Sequence, residues 1–167
     1  PGGRAAVVVP NGTLFGDGMC ARIKEDVLKN FNLHTIVRLP NGVFAPYTNI
    51  PTNLLFFDRT GPTKEVWFYE QPLPDDRRQY TKTKPFQYEE FADCIKWWNK
   101  RKENDRAWKL SAKEILDDNC NLDRKNPSAA PDLEHIPPKQ LIDDILKKES
   151  RITEIMLEIR ELLGRRP

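Results

Sequence analysis

Ala5-Ala6-Val7-Val8-Val9-Pro10-Asn11-Gly12-Thr13-Leu14-Phe15-Gly16-Asp17 is the stretch on which the fold turns. Its first six residues are a short apolar run rich in β-branched side chains, the composition of a strand covered on both faces, and such strands belong to parallel sheets. The loop from Asn11 to Gly16 leads to Asp17, a residue type that caps helices, and Met19, Ile23, Val27 and Phe31 follow at i, i+4 spacing. A helix with one apolar stripe is expected. His34-Thr35-Ile36-Val37-Arg38-Leu39-Pro40 reads as a second strand, so strand, helix and strand follow one another through short loops. That order predicts a right-handed parallel crossover.

Downstream, a third strand over Asn53 to Arg59 and a fourth over Glu65 to Glu70 flank the turn Gly61-Pro62, a separation that predicts antiparallel neighbours. From Leu73 to Pro85 the chain turns to Pro, Asp, Arg, Lys and Thr without apolar periodicity, so the sheet is expected to end there in a surface connection. Phe91, Cys94, Ile95 and Trp98 share a helical face, and Trp108, Leu110, Ile115 and Leu116 would pack nearby. A second linker, Asn126-Pro127-Ser128-Ala129-Ala130-Pro131, precedes Pro137-Pro138, a helix-start signal. Ile142, Ile145, Ile152, Met156, Ile159 and Leu163 then recur at heptad spacing, interrupted by Glu149, with Gly164 as a stop. The expected organisation is an α/β part over 1–72, a linker and helical region over 73–128, and a terminal helix over 129–167.

Charge and composition narrow the function classes. The 27 basic and 25 acidic residues leave a net charge of +2, too balanced to predict nucleic-acid binding from bulk electrostatics, so any DNA contact must be local. Cys20, Cys94 and Cys120 are far apart, and only His34 and His135 are available to complete a metal site. They read as reduced structural cysteines, and no metal is expected. No apolar run is long enough to span a bilayer and no signal peptide opens the chain, which predicts a cytoplasmic protein without membrane attachment. Pro1-Gly2-Gly3-Arg4 runs directly into a strand, a start expected of a chain cut from a longer polypeptide.

Three stretches carry a resemblance: Gly2-Gly3-Arg4-Ala5-Ala6-Val7-Val8-Val9-Pro10-Asn11-Gly12-Thr13-Leu14-Phe15, Leu39-Pro40-Asn41-Gly42-Val43-Phe44-Ala45-Pro46-Tyr47-Thr48 and Pro51-Thr52-Asn53-Leu54-Leu55-Phe56-Phe57. With Trp97-Trp98-Asn99-Lys100-Arg101, Ala107-Trp108 and Asn121-Leu122, their order resembles the modification subunit of type I restriction-modification systems. The resemblance implies an adenine-N6 methyltransferase that uses S-adenosylmethionine on a base flipped from the duplex. It implies the distal half of a Rossmann-like methyltransferase sheet, a parallel crossover plus antiparallel end strands, followed by an α-helical C-terminal tail. It also implies DNA, a specificity subunit and a restriction subunit as partners. The family's glycine-containing cofactor motif and its Asn-Pro-Pro-aromatic motif precede this region and do not occur here. No catalytic residue is therefore expected in this stretch, nor cofactor binding or activity by it alone. Asn126-Pro127 reads as an ordinary turn.

The same resemblance makes Phe44 the candidate to stack on the flipped base, with packing of its own loop as the alternative. Asn11 lies just past a strand's carboxyl end, where open α/β sheets place ligands, and Tyr47 neighbours Phe44. These three form the candidate base pocket. Thr48 and Asn49, and Arg77, Arg78, Lys82 and Lys84 around Tyr80, are candidates for DNA contact, with solvation of a loop as the alternative. Ile145, Ile152, Met156, Ile159 and Leu163 are candidates for docking a specificity subunit, with packing inside this chain or against a second copy as the alternative. A second function class stays open: a non-catalytic helical interaction module on an α/β platform. A solitary adenine methyltransferase would carry a recognition domain after the sheet, and the short helical tail argues against it.

Overall fold

The computed structural model describes residues 2–74, 77–129 and 138–164; Pro1, Asp75, Asp76, residues 130–137 with His135, and 165–167 lie outside them. Two compact units divide the chain, 1–129 and 130–167. The first is built on one five-stranded mixed sheet. Its strands are β1 (Arg4–Pro10), β2 (Asn32–Arg38), β3 (Thr52–Asp58), β4 (Glu65–Glu70) and β5 (Ala107–Ser111), in spatial order β1-β3-β2-β4-β5. Helices α1 (Asn11–Phe15), α2 (Met19–Asn30), α3 (Ala92–Asn99) and α4 (Ala112–Asp117) surround it, and α5 (Pro138–Gly164) belongs to the second unit. No helix among the described residues is long and apolar enough to cross a membrane.

Both faces of β2 are covered, and its Leu33, Thr35, Ile36 and Val37 are all buried. Ile36 points into one core cluster with Leu14, Leu28, Phe68, Trp108 and Ile115, while Val37 points into the other with Tyr69, Cys94 and Trp97. Alternation along a strand sends neighbouring side chains to opposite faces, and helices on both sides absorb them. β1 does not occupy such a place. It pairs only with β3 among the described strands, and apart from the half-buried Val9 all its residues are exposed. The apolar run thus forms a strand as expected, and it is the outermost of the described strands.

Topology corrects two further expectations. β1 and β2 run in the same direction around α2, but β3 inserts between them and pairs antiparallel with both. β3 and β4 are not a hairpin, because β2 lies between them and pairs parallel with β4 through Thr35↔Trp67 to Arg38↔Glu70. Nor does the sheet stop at Glu70. β5 adds antiparallel to β4, and Trp108 stacks on Phe68 at 5.4 Å with nearly parallel rings. Strand pairing across a gap of some forty residues leaves no local sequence signature, whereas hairpins do.

Two helices are rotated from their expected faces. In α2 the buried residues are Lys24 and Leu28, Val27 is half-buried, and Met19 and Ile23 are exposed. Lys24 fills the inner face because its Nζ donates to the Leu14 carbonyl at 2.6 Å and the Gly16 carbonyl at 3.0 Å, bonding the main chain at the end of α1. Burial lowers its pKa from the usual lysine value. Gly18, at φ 61°, is the N-cap; Asp17 instead accepts a hydrogen bond from Asn119 Nδ2 at 2.7 Å. In α3 Trp97 turns inward with Cys94 and Ile95 faces out. A full capping box opens α4, where the Ser111 hydroxyl accepts from the Glu114 N–H and the Glu114 carboxylate accepts from the Ser111 N–H.

Candidate functional site

At the rim where β1 and β2 end and β3 begins lies a polar cleft of about 480 Å³. This is the side on which open α/β sheets bind ligands. Asn11, Arg38, Asn53, Glu70, Gln71 and Arg78 line it. A backbone bond from Asn11 to the Pro51 carbonyl, 2.8 Å, and one from Leu39 to the Thr52 carbonyl, 2.9 Å, tie the rim to β3. The Asn11 side chain accepts from Asn53 Nδ2 and donates to Asp123 Oδ2, both at 3.2 Å. Arg38 reaches the same aspartate at 2.7 Å and the Arg124 carbonyl at 2.5 Å. The 121–126 segment thus holds two of the lining residues, Asn11 and Arg38, in place, the latter through a half-buried ion pair. Glu70 accepts from Asn126 Nδ2 at 3.1 Å, and Asn126 Oδ1 caps the Ser128 N–H, so Asn126-Pro127 is a turn.

Beyond β2 the chain enters a series of turns from Asn41 to Tyr47 that projects Phe44 and Tyr47 outward, 40% and 93% exposed. Phe44 belongs to neither core cluster. The Phe44 carbonyl accepts from the Tyr47 and Thr48 N–H groups, which gives the loop its own internal bonds, and Thr48 Oγ1 accepts from the Ile50 N–H. Asn49 is exposed. The loop is anchored from below by Tyr80, whose N–H donates to the Asn41 carbonyl at 3.1 Å.

Tyr80 itself is fully buried, with its hydroxyl on the Glu90 carboxylate and its ring against Phe86. Tyr80 is therefore a packing residue of the linker. Arg77 lies over the Tyr80 ring, Arg78 lines the cleft, and Lys82 and Lys84 are exposed on the tight turn bridged by Thr81 and Lys84. Of the candidate residues, the structure brings Asn11 and Arg78 to one cleft and sets Phe44, Tyr47, Thr48 and Asn49 on the loop that follows its rim. Arg38, Asn53, Glu70, Gln71 and Asp123 were not singled out from the sequence. Asn53, a polar residue directly before the apolar run Leu54 to Phe57, carried a signal; Asp123 is 85 residues from Arg38 and carried none.

Burial pushes the Cys94 thiol up to about 11, so it is protonated at neutral pH. Cys20 and Cys120 are free as well, and among the described residues no three His, Cys, Asp or Glu side chains group as a metal site. In the second unit, Ile145, Ile152, Met156, Ile159 and Leu163 all lie on α5 with 44 to 65% exposure.

Comparison with known proteins gives three concordant findings. The N-6 DNA methylase family matches residues 1–135. The chain is 48% identical over 169 residues to the type I restriction enzyme EcoEI methylase subunit of Escherichia coli, covering 97% of this chain and 34% of that protein. Among solved structures, a modification subunit of a putative type I restriction enzyme from Vibrio vulnificus YJ016 superposes with a TM-score of 0.74 at 61% identity, covering 80% of this chain and 29% of that one. A structure described as the basis of complex assembly and conformational transition of the type I R-M system also has a TM-score of 0.74, at 38% identity over 99% of this chain and 37% of that one. The chain thus spans about a third of the length of these relatives.

Proposed function

The chain belongs to the N-6 DNA methylase family, and from that premise we propose that it is the part of a type I methylase subunit that walls the pocket for an extruded adenine and docks the specificity subunit. The observation that carries the reading is Phe44. A large aromatic ring 40% exposed, on a loop fastened from beneath by Tyr80 and next to a polar cleft, suits a platform for a base. Packing a planar ring on a base face needs no hydrogen-bond code and contributes about 1–3 kcal/mol. Asn11 and Tyr47 supply polar groups to the same pocket. Thr48, Asn49, Arg78, Lys82 and Lys84 then follow the phosphate backbone, while Arg77 acts through Tyr80.

S-adenosylmethionine supplies the methyl group in the full-length enzyme under this reading. The residues of this chain do not fit it by themselves. The glycine-containing cofactor motif does not occur in this sequence, and the carboxylates beside the cleft already serve as internal ties, Asp123 to Arg38 and Asn11, and Glu70 to Asn126. The methyl donor is then held by other parts of a full-length subunit, and this stretch on its own is expected to be inactive. The α5 seam is the surface for the specificity subunit, since a solitary helix leaves such a stripe unburied. DNA and the restriction subunit complete the assembly.

The test uses a full-length subunit with its specificity subunit. Phe44→Ala is expected to lower kcat/KM for adenine methylation by about ten-fold or more, the scale of one lost stacking contact, and Phe44→Tyr to retain activity. Full methylation by Phe44→Ala would end the pocket assignment.

A further inference from the structure

We infer that the sheet face beside α3, together with the rim opposite the polar cleft, is a docking site for a protein segment bearing apolar side chains and a carboxylate, with Trp98 and Arg101 as its anchors. Two depressions meet there. One is an apolar groove of about 310 Å³ lined by Val37, Leu54, Phe56, Phe91, Ile95 and Trp98. The other is a polar cleft of about 340 Å³ lined by Asn32, His34, Thr60, Lys64, Trp67 and Arg101. Trp98 lines the first and Arg101 the second, and the two side chains touch: the guanidinium lies 4.6 Å from the Trp98 ring centroid and 5.8 Å from that of Trp97. Phe56 and His34 meet Trp98 edge-on and hold the indole in place.

The charge of Arg101 is the reason a ligand is needed. A guanidinium has five N–H donors, yet among the described residues Arg101 makes no ion pair, and its hydrogen bonds go to His34, at 3.5 Å to the carbonyl and 3.4 Å to Nδ1. Both are long. Half-burying a cation without a counter-ion is unfavourable, and burial lowers the Arg101 pKa accordingly. Lys64 adds a second cation without an ion pair among the described residues, whereas the one carboxylate lining the cleft, Glu65, is bound by Lys109 at 2.9 Å. An incoming carboxylate would give Arg101 the two-pronged partner its geometry fits.

The neighbouring groove decides between protein and DNA as the source of the anion. Its lining is apolar apart from Tyr88 and Asn99, so it accepts aliphatic side chains better than a row of phosphates, and Trp and Arg are typical of the anchors of protein interfaces. Asp58 and Glu65 at the same rim would repel a row of phosphates.

The test titrates the isotopically labelled chain with three probes: a peptide of Leu and Glu, the same peptide with Gln for every Glu, and a DNA duplex of similar length. The glutamate peptide is expected to shift the Trp98 indole and Arg101 side-chain resonances and to bind about ten-fold tighter than the glutamine peptide, the scale of a close interfacial charge pair. Arg101→Gln should erase that difference, and Ile95→Asp should weaken both peptides. If Arg101→Gln does not fold, high salt replaces it, and must weaken only the glutamate peptide. Equal affinity for the two peptides, or the DNA duplex moving the same resonances more strongly, would overturn the inference.

Discussion

Gly42 packs so closely on Tyr80 that a Cβ at position 42 would overlap the Tyr80 carbonyl oxygen, and Gly42 holds φ at +80°. The loop carrying Phe44 and the linker after β4 are therefore fitted to each other at a point where only glycine is tolerated. Gly42→Ala is expected to cost about 1–3 kcal/mol from left-handed backbone strain and overlap. Thermal melting and limited proteolysis across residues 39–51 measure it; an unchanged melting temperature with unchanged cleavage would show that the linker does not hold the loop.

Trp108 is 4% exposed and stacks on Phe68 across the β4–β5 pair. Trp108→Ala is expected to destabilise the chain by about 3–5 kcal/mol, the range for emptying a buried aromatic site. Urea unfolding reads this directly. A loss under about 1 kcal/mol, as for a surface substitution, would mean that β5 is not part of the cooperative sheet.

His34 titrates below its usual value, chiefly because it is half-buried, next because Arg101 is positive, with Asp58 acting the other way. As pH falls through the ordinary histidine range, near 6.5, the unfolded chain takes up the proton before the folded one does. Stability should therefore decline as pH falls below about 7 through the ordinary histidine range and be fully present above it. His34→Gln should flatten this part of the stability profile measured in denaturant, and an unaltered slope would assign it to other groups.

On α5, Ile152 and Ile159 lie seven residues apart with 61% and 44% exposure. Ile152→Glu with Ile159→Glu is expected to abolish co-purification of a full-length subunit with its specificity subunit, because two desolvated charges would face the partner. Melting of the 1–129 unit should not change. Retained co-purification would return the seam to the alternative of packing against a second copy.

Local pattern was enough to find most elements. The apolar run Ala5 to Pro10, the Ile-Val core of β2, the Leu-Leu-Phe-Phe of β3 and the heptad spacing of α5 each appear where periodicity puts them. Their neighbours were not legible. Nothing in Asn53 to Glu70 distinguishes a hairpin from two strands separated by β2, and Trp108 gives no hint that it sits across from Phe68. The candidate site was half legible. Asn11 and Phe44 stand out through position and resemblance, while the partners that shape the cleft arrive from residues 70 to 126.

The order of residues by itself determined the elements, the family resemblance and the loop that carries Phe44, because these depend on spacing within a few residues. Only the tertiary structure decided that the valine-rich strand is outermost among the described strands, that Tyr80 is buried as an anchor, that Asp123 meets Arg38, and that Arg101 meets no carboxylate among the described residues. Each of those depends on contacts between residues far apart in the chain, where closure entropy and packing, not local propensity, select the partner.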